Sequence, residues 1–346
     1  MGRWSPNRRP SSLKSTSSST LAPPYASATL ARFERMRSVR KPLLFIASLT
    51  ILLILARAAG FKQIALVWKT LAPQMIALSI ACYFASITAR VLSWRMLLAD
   101  SSPPGWKLVP PLALGFVLGH VAPAKTGEPA TAVLVSKSLG IPLHRTLSAL
   151  TAERALQLAL LLATFLAAAA AKAGDLLEIR GAIQLSAMLL VLLLVGFAAA
   201  RPLLARLAPH AQKLPRVGPA ASDYFLSLHD VLGNRRRLIL LAALAGVFWI
   251  LQYLSLWSIL RAGGTTVDLP AAAVVAGAAI LGGTLSLMPL GTQDGISAVV
   301  LRAFGVPLAT GFSLALFHTA LSLACGAALV LLIPLLGETT TDSRGQ

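Results

Sequence analysis

The chain has 346 residues, of which 56% are apolar and only 12% are charged. An ordinary soluble domain carries about 25% charged residues, so this composition excludes a soluble globular enzyme. A net charge of +19 would suggest a nucleic-acid partner in a soluble protein, but here the basic residues lie between long apolar runs. They indicate membrane orientation, and no nucleic-acid partner is expected.

The two cysteines, Cys82 and Cys325, lie inside apolar runs. Neither has a partner at the spacing of a metal site or a redox motif, so both are expected to be small apolar packing residues. No acid–base pair accompanied by a metal set or a nucleophile stands out in the sequence. We therefore expect no enzymatic activity, no metal and no cofactor.

Residues 1–41 are rich in Ser, Pro and Arg and hold few branched apolar residues. Such a composition cannot bury enough surface to offset the entropy of ordering, so we predict a disordered basic cytoplasmic tail. A signal peptide is disfavoured because the first apolar run starts only after Pro42. The membrane domain is expected over residues 42–337, followed by a short polar cytoplasmic tail at 338–346.

Six apolar stretches are long enough, or nearly so, to cross a hydrocarbon core of about 30 Å as helices. They predict an all-α polytopic membrane protein with six full transmembrane helices. The predicted spans are 43–59, 74–94, 147–171, 181–200, 238–260 and 308–336.

Lys and Arg near the ends of spans indicate which segments stay in the cytoplasm. Residues 1–41 hold nine of them against one acid, and the 201–237 connection holds seven against two. Four predicted crossings separate these segments, so both are expected on the cytoplasmic side. We expect a multi-pass protein of the bacterial inner membrane with both termini in the cytoplasm.

Two further apolar regions, 108–140 and 271–306, do not fit single spans. Each is interrupted by a polar break that contains Pro and Gly, at 123–129 and at 288–295. The arms on either side hold about 10–14 residues, too few to cross the core alone. We predict that each region forms a re-entrant helical hairpin.

The two hairpin regions also align with each other, which predicts a duplication of about 43–172 and 180–337. Each half has three spans and one hairpin, and this odd number of crossings gives the halves opposite orientation in the membrane. The result is an inverted-topology repeat, an architecture typical of transporters. The matched positions are Pro123, Thr126 and Glu128 with Pro289, Thr292 and Asp294, and Gly140–Leu143 with Gly305–Leu308.

Charged residues at the bilayer centre cost about 2.5–3.5 kcal/mol each, so they usually have a partner or a function. Helix starts at the two breaks would present free amide groups and a positive dipole end to a phosphate or carboxylate. The structural alternative is that Glu128 and Asp294 cap broken helices and Lys125 neutralises one of them. The predicted substrate-binding residues are Lys125, Thr126, Glu128, Glu153, Arg154, Thr292, Asp294 and His318.

Glu153 and Arg154 lie about 100° apart around a helix, so each needs a partner elsewhere. Glu153 aligns with His318 across the repeat, which makes the two a candidate ion pair or proton relay. Arg154 is expected to reach Glu128 or Asp294. The alternative is that one or more of these side chains snorkel into the headgroup region.

These motifs resemble the transmembrane region of the lysylphosphatidylglycerol synthase family, also described as flippase-like integral membrane proteins. The resemblance covers most of residues 43–337 and implies a repeated membrane core linked to lipid translocation, without enzymatic groups. Aminoacyl transfer in that family belongs to a separate soluble domain, which we do not expect here because only a short polar tail follows residue 337. The matching stretches are Pro123-x-x-x-Gly127-Glu128, Leu139-Gly140-Ile141, Glu153-Arg154-Ala155-Leu156, Pro289 with Gly291 to Gly295, and Gly305-Val306-Pro307.

The chain departs from the family pattern at three places. Thr131 and Gln293 stand where the family usually has arginine, and Gln157 stands where an acidic residue commonly follows Glu-Arg. The loss of two cationic positions weakens the case for a strongly anionic phospholipid headgroup. Such changes are compatible with a divergent subgroup, for example the members associated with hopanoid biosynthesis.

The leading hypothesis is a lipid transporter or flippase that holds a lipid headgroup between the two opposed hairpins. Its expected ligand is a membrane lipid, either a phospholipid or an isoprenoid lipid. The alternative is a non-catalytic scaffold that recruits enzymes of lipid, hopanoid or envelope biosynthesis through the basic 201–237 segment.

Overall fold

A computed structural model describes residues 61–98, 103–121, 127–172, 180–213, 218–286 and 289–338. These residues form eleven α-helices and no β-strand, which confirms the all-α fold class for this part of the chain. The helices are α1 (Phe61–Lys69), α2 (Pro73–Leu97), α3 (Gly105–Val121), α4 (Gly127–Leu139), α5 (Leu143–Ala171), α6 (Arg180–Ala211), α7 (Gly218–Gly233), α8 (Arg235–Ala262), α9 (Leu269–Leu285), α10 (Pro289–Ala303) and α11 (Leu308–Glu338).

Five helices, namely α2, α5, α6, α8 and α11, are long and apolar enough to cross a membrane. Each contains or largely covers one of the predicted spans, so five of the six are matched by a helix of sufficient length. The sixth predicted span, 43–59, lies outside the described residues, as do the predicted tails at 1–41 and beyond 338. The six-span count therefore stays a prediction.

Helices α3 and α4 form the first of two short helix pairs, and they pack closely because of two glycines. Gly115 of α3 lies against the side chain of Thr131, and Gly127 of α4 lies against the backbone of Leu118 and Gly119. Neither glycine has room for a side chain. The contacts run in opposite directions along the two helices, so the pair is antiparallel.

Helices α9 and α10 form the second pair in the same way. Gly282 and Gly283 of α9 lie against the side chains of Ile296 and Gln293, which again makes the pair antiparallel. The start of α10 is irregular at Gly291, whose φ of 81° lies in the left-handed region that glycine tolerates. The polar break predicted at 288–295 therefore coincides with a real interruption of the helix.

The turns that follow α4 and α10 support the predicted repeat. The matched glycines Gly140 and Gly305 both have positive φ, 66° and 79°. In each case the next residue, Ile141 or Val306, is buried, and a proline precedes the next long helix. Two segments matched by sequence alone thus adopt the same local conformation.

The helices pack around two apolar clusters of buried side chains. One is built around Phe165, Ile259 and Leu260, and the other around Tyr83 and Trp94. Helices α2 and α8 pack side by side through both clusters. By contrast, α6 lies at the periphery, and its apolar side chains are mostly exposed, as expected for a helix that faces lipid.

Candidate functional site

A central cavity of about 290 Å³ lies among helices α2 to α5 and α8 to α11. Each half of the predicted repeat thus contributes four helices to its wall. Apolar side chains such as Phe116, Leu161 and Leu256 line part of the wall. The polar and charged side chains that line it include Arg90, His120, Glu128, Arg154, Gln157, Gln252, Gln293, Asp294, Ser297, His318, Thr319 and Ser322.

A buried ion pair joins α2 to α5 at one side of the cavity. Arg90 Nε lies 2.9 Å from Glu153 Oε1, and Arg90 Nη2 lies 3.3 Å from Glu153 Oε2. Both side chains are only 2% exposed, so each charge depends on the other for compensation. Arg90 therefore lines the cavity with its charge already balanced by a two-point contact.

The expected pairing of Glu153 with His318 was wrong. Glu153 binds Arg90 and also accepts a 3.4 Å hydrogen bond from Gln157 Nε2. His318 Nε2 instead lies 3.1 Å from Ser255 Oγ, which in turn lies 2.8 Å from Ser79 Oγ. Alignment across the repeat gave the wrong partner because the Glu153 carboxylate lies next to Arg90 of α2 and not next to His318.

Arg154 lies beside this pair and makes the predicted contact with Glu128. Its Nε lies 3.5 Å from Glu128 Oε2, and its Nη1 donates a 3.0 Å hydrogen bond to Gln157 Oε1. About a third of each side chain is exposed, 34% for Arg154 and 30% for Glu128. The ion pair is thus longer and more open than that of Arg90, which leaves Arg154 accessible from the cavity.

Asp294 is the corresponding carboxylate in the second half, and it is 2% exposed. Its Oδ1 accepts a 2.7 Å hydrogen bond from Thr319 Oγ1, and its Oδ2 accepts a 3.2 Å hydrogen bond from the backbone amide of Gly291. The second contact confirms the expectation that Asp294 caps the start of this helix arm, since it satisfies an amide at the helix start.

The structure brings together four of the eight predicted site residues at the cavity wall: Glu128, Arg154, Asp294 and His318. Glu153 does not line the cavity, but it binds Arg90, which does. Thr292 is half-buried near Asp294 and does not line the cavity. Lys125 and Thr126 lie outside the described residues.

Most of the polar residues of the wall were not among the predicted site residues, and Arg90, Trp249 and Gln252 are three of them. Trp249 Nε1 donates a 2.8 Å hydrogen bond to the Gln157 carbonyl, and Gln252 Nε2 donates a 2.9 Å bond to Ser86 Oγ. A signal was present for two of them. Arg90 is the one charged residue of the predicted span 74–94, and Gln252 is an amide within the apolar span 238–260.

Comparison with known proteins gives one family. Residues 43–329 match the family model described as the lysylphosphatidylglycerol synthase TM region. No curated protein matches the chain.

Proposed function

The chain belongs to the lysylphosphatidylglycerol synthase TM-region family, and from this premise we propose that it moves a membrane lipid across the bilayer with the headgroup in the central cavity. Family membership and the apolar helices make it a multi-pass membrane protein of lipid metabolism or transport. The cavity is in this proposal the passage for the headgroup, and no covalent chemistry takes place there.

A polar cavity near the middle of the spanning helices is the observation that carries this proposal. Arg154 of α5 and Thr319 of α11 occupy equivalent positions, each about three turns beyond the start of its helix. Three turns correspond to roughly 16 Å along the helix, about half the thickness of a hydrocarbon core. Polar groups at that depth are costly unless they serve a pathway or a site.

The short helices support re-entrant hairpins on either side of the cavity. Helix α9 has 17 residues and α4 has 13, which correspond to about 25 Å and 20 Å of helix. Both are shorter than the roughly 30 Å of a hydrocarbon core. The proposal is that the two pairs enter from opposite faces, as an inverted repeat requires, and that their breaks meet beside the headgroup.

Arg154 is the residue that we propose contacts an anionic group of the lipid. Arg90 is paired with Glu153 at two points, whereas Arg154 makes one long contact with Glu128 and one hydrogen bond to Gln157. A guanidinium has five N–H donors, so Arg154 retains donors for a phosphate. Phospholipids and isoprenoid phosphates both present that group, and both remain candidate substrates.

Reconstitution in liposomes tests the proposal directly. Purified protein is expected to accelerate movement of a fluorescent phosphatidylglycerol or a polyprenyl phosphate between leaflets, and Arg154→Gln is expected to lower the rate at least tenfold. Arg206→Gln is the matched control, because Arg206 is an exposed arginine of α6 outside the cavity. Wild-type protein that moves neither probe would contradict the proposal.

Orientation in the membrane is tested separately. We propose an inner-membrane protein with both termini in the cytoplasm, which requires residue 174 to lie outside and residue 216 to lie inside. Reporter fusions at Gly174 and Arg216 should therefore give opposite signals. The same signal from both would overturn the inverted repeat while leaving membrane insertion intact.

A scaffold for biosynthetic enzymes is the second candidate, and a surface cleft favours it. Arg201 of α6 and Arg235 at the start of α8 border this cleft together with His229 and Asp230 near the end of α7. Arg237 is unsuitable for the test because its guanidinium donates to the Met96 carbonyl. If the protein is a scaffold, the double variant Arg235→Gln, Arg236→Gln should no longer capture a partner enzyme. The double variant Lys125→Ala, Glu128→Ala should still capture it. The opposite pattern favours the lipid pathway.

A further inference from the structure

Helices α5 and α9 lie side by side in antiparallel fashion, and two contacts fix their register. Lys172 Nζ, just beyond α5, lies 2.5 Å from Asp268 Oδ2, just before α9. Further along, the fully buried ring of Phe165 lies directly against Gly277, where a side chain on the glycine would collide with it. The seam between the two helices is thus closed from the Lys172 end as far as Phe165.

The same register places Leu158 of α5 opposite Thr284 of α9. Leu158 precedes Phe165 by the same interval by which Thr284 follows Gly277. That interval is about two helical turns, so these positions lie on the same helix faces as the closed contact. If the helices stayed equally close, both side chains would be buried.

Both residues are exposed, however, and both line the central cavity. Leu158 is 39% exposed, and Thr284 is also exposed. Ile280, one turn before Thr284, lines the cavity as well. Leu161, one turn beyond Phe165, is still only 2% exposed, so the exposure of Leu158 and Thr284 indicates that the two helices separate beyond Leu161 and that the cavity opens through a gap between them.

The gap lies at the depth of the lipid tails. Helix α5 runs from Leu143 to Ala171, so Leu158 lies near the middle of a spanning helix. The middle of such a helix faces hydrocarbon, not water. The apolar side chains of Leu158 and Ile280 at the edge of the gap suit that environment.

We propose that the gap between Leu158 and Thr284 is a lateral portal, through which the hydrocarbon chains of a lipid extend into the bilayer while its headgroup occupies the cavity. The proposal rests on the proposed function and adds where the chains leave the protein. It also explains how a cavity of about 290 Å³ suffices, since only the headgroup has to fit inside.

Access of an apolar reagent to the cavity tests the portal. In a variant without the native cysteines (Cys82→Ala, Cys325→Ala), Ser297→Cys places a thiol on the cavity wall, where Ser297 is 6% exposed. N-dodecylmaleimide dissolved in the bilayer of proteoliposomes should modify this thiol. Leu158→Trp, and separately Thr284→Trp, should slow the modification at least fivefold by narrowing the gap.

Leu189→Trp is the matched control. Leu189 lies on α6, away from the cavity, and is also 39% exposed, so its substitution should leave the modification rate unchanged. Equal modification rates in the Ser297→Cys variant without the native cysteines, with or without Leu158→Trp or Thr284→Trp, would overturn the portal. This assay measures thiol modification and does not depend on lipid transport. Protein that moves no lipid but still admits the reagent through this gap would contradict the proposed function and leave the portal proposal standing.

Discussion

Thr319 Oγ1 donates a 2.7 Å hydrogen bond to Asp294 Oδ1, and this contact occupies the place that the Arg154–Glu128 ion pair holds in the other half. Thr319 and Arg154 occupy equivalent positions in α11 and α5, and the two carboxylates match across the repeat. The cavity therefore has an arginine at one such position and a hydroxyl at the other. An anion bound there would contact one side of the cavity more strongly.

Removing the hydroxyl of Thr319 should destabilise the protein. Thr319→Val retains the branched shape but leaves Oδ1 of the buried Asp294 without this donor, and an unsatisfied buried acceptor costs about 1–3 kcal/mol. Thermal unfolding of detergent-solubilised protein measures the loss. The control is Thr88→Val, because Thr88 is exposed and bonds only a carbonyl of its own helix. Equal melting temperatures for the two variants would show that Thr319 does not support Asp294.

The Arg90–Glu153 pair predicts a non-additive result. Glu153→Gln leaves the buried Arg90 charge without its countercharge, and breaking a buried pair costs about 3–5 kcal/mol. Replacing both residues by apolar ones of similar size, Arg90→Met with Glu153→Leu, should cost less than Glu153→Gln alone. Denaturation of the double variant and of its two single variants, Arg90→Met and Glu153→Leu, gives the coupling between the residues. Additive losses would mean that the pair contributes no specific interaction.

Sequence patterns predicted the long helices well but the side-chain partners poorly. Apolar runs reveal spans because length and composition alone decide whether a helix can cross a bilayer. Arg154 was correctly expected near Glu128, since both lie next to recognisable motifs. The pairing of Glu153 with Arg90 was missed because it depends on how α2 packs against α5, and neither pattern nor repeat symmetry encodes that geometry.

The Lys172–Asp268 contact predicts a pH-dependent effect at the closed end of the seam. The hydrogen bond from Lys172 lowers the pKa of Asp268 below its usual value of about 3.9. The stabilisation is therefore fully present above that value and is lost as pH falls through the lower pKa of the folded state. Because both groups are partly exposed, the effect should be under about 1 kcal/mol.

Asp268→Asn isolates the charge, because asparagine also caps a helix and can replace the hydrogen bond that Asp268 accepts from the Ala271 amide. The variant should unfold slightly more readily than wild type at neutral pH, and the difference should vanish below the pKa of Asp268. Asp268→Ala, which loses the cap as well, should stay less stable at every pH. A difference between Asp268→Asn and wild type that grows on acidification would contradict the assignment.

The close approach of α3 and α4 predicts that Gly127 tolerates no side chain. A methyl group at this position would collide with the backbone of Leu118 and Gly119, and backbone cannot rotate away as a flexible side chain can. Gly127→Ala should therefore force the two helices apart, at a cost of about 1–3 kcal/mol typical of overpacking, and shift the neighbouring Glu128 away from Arg154.

Gly246→Ala is the control, because Gly246 has open space around it and lies within α8, where alanine favours the helix by roughly 1 kcal/mol. The expected outcome is a lower unfolding temperature and slower lipid movement for Gly127→Ala, with neither change for Gly246→Ala. Wild-type behaviour of Gly127→Ala in both measurements would mean that the helix pair is not packed as tightly as the structure has it.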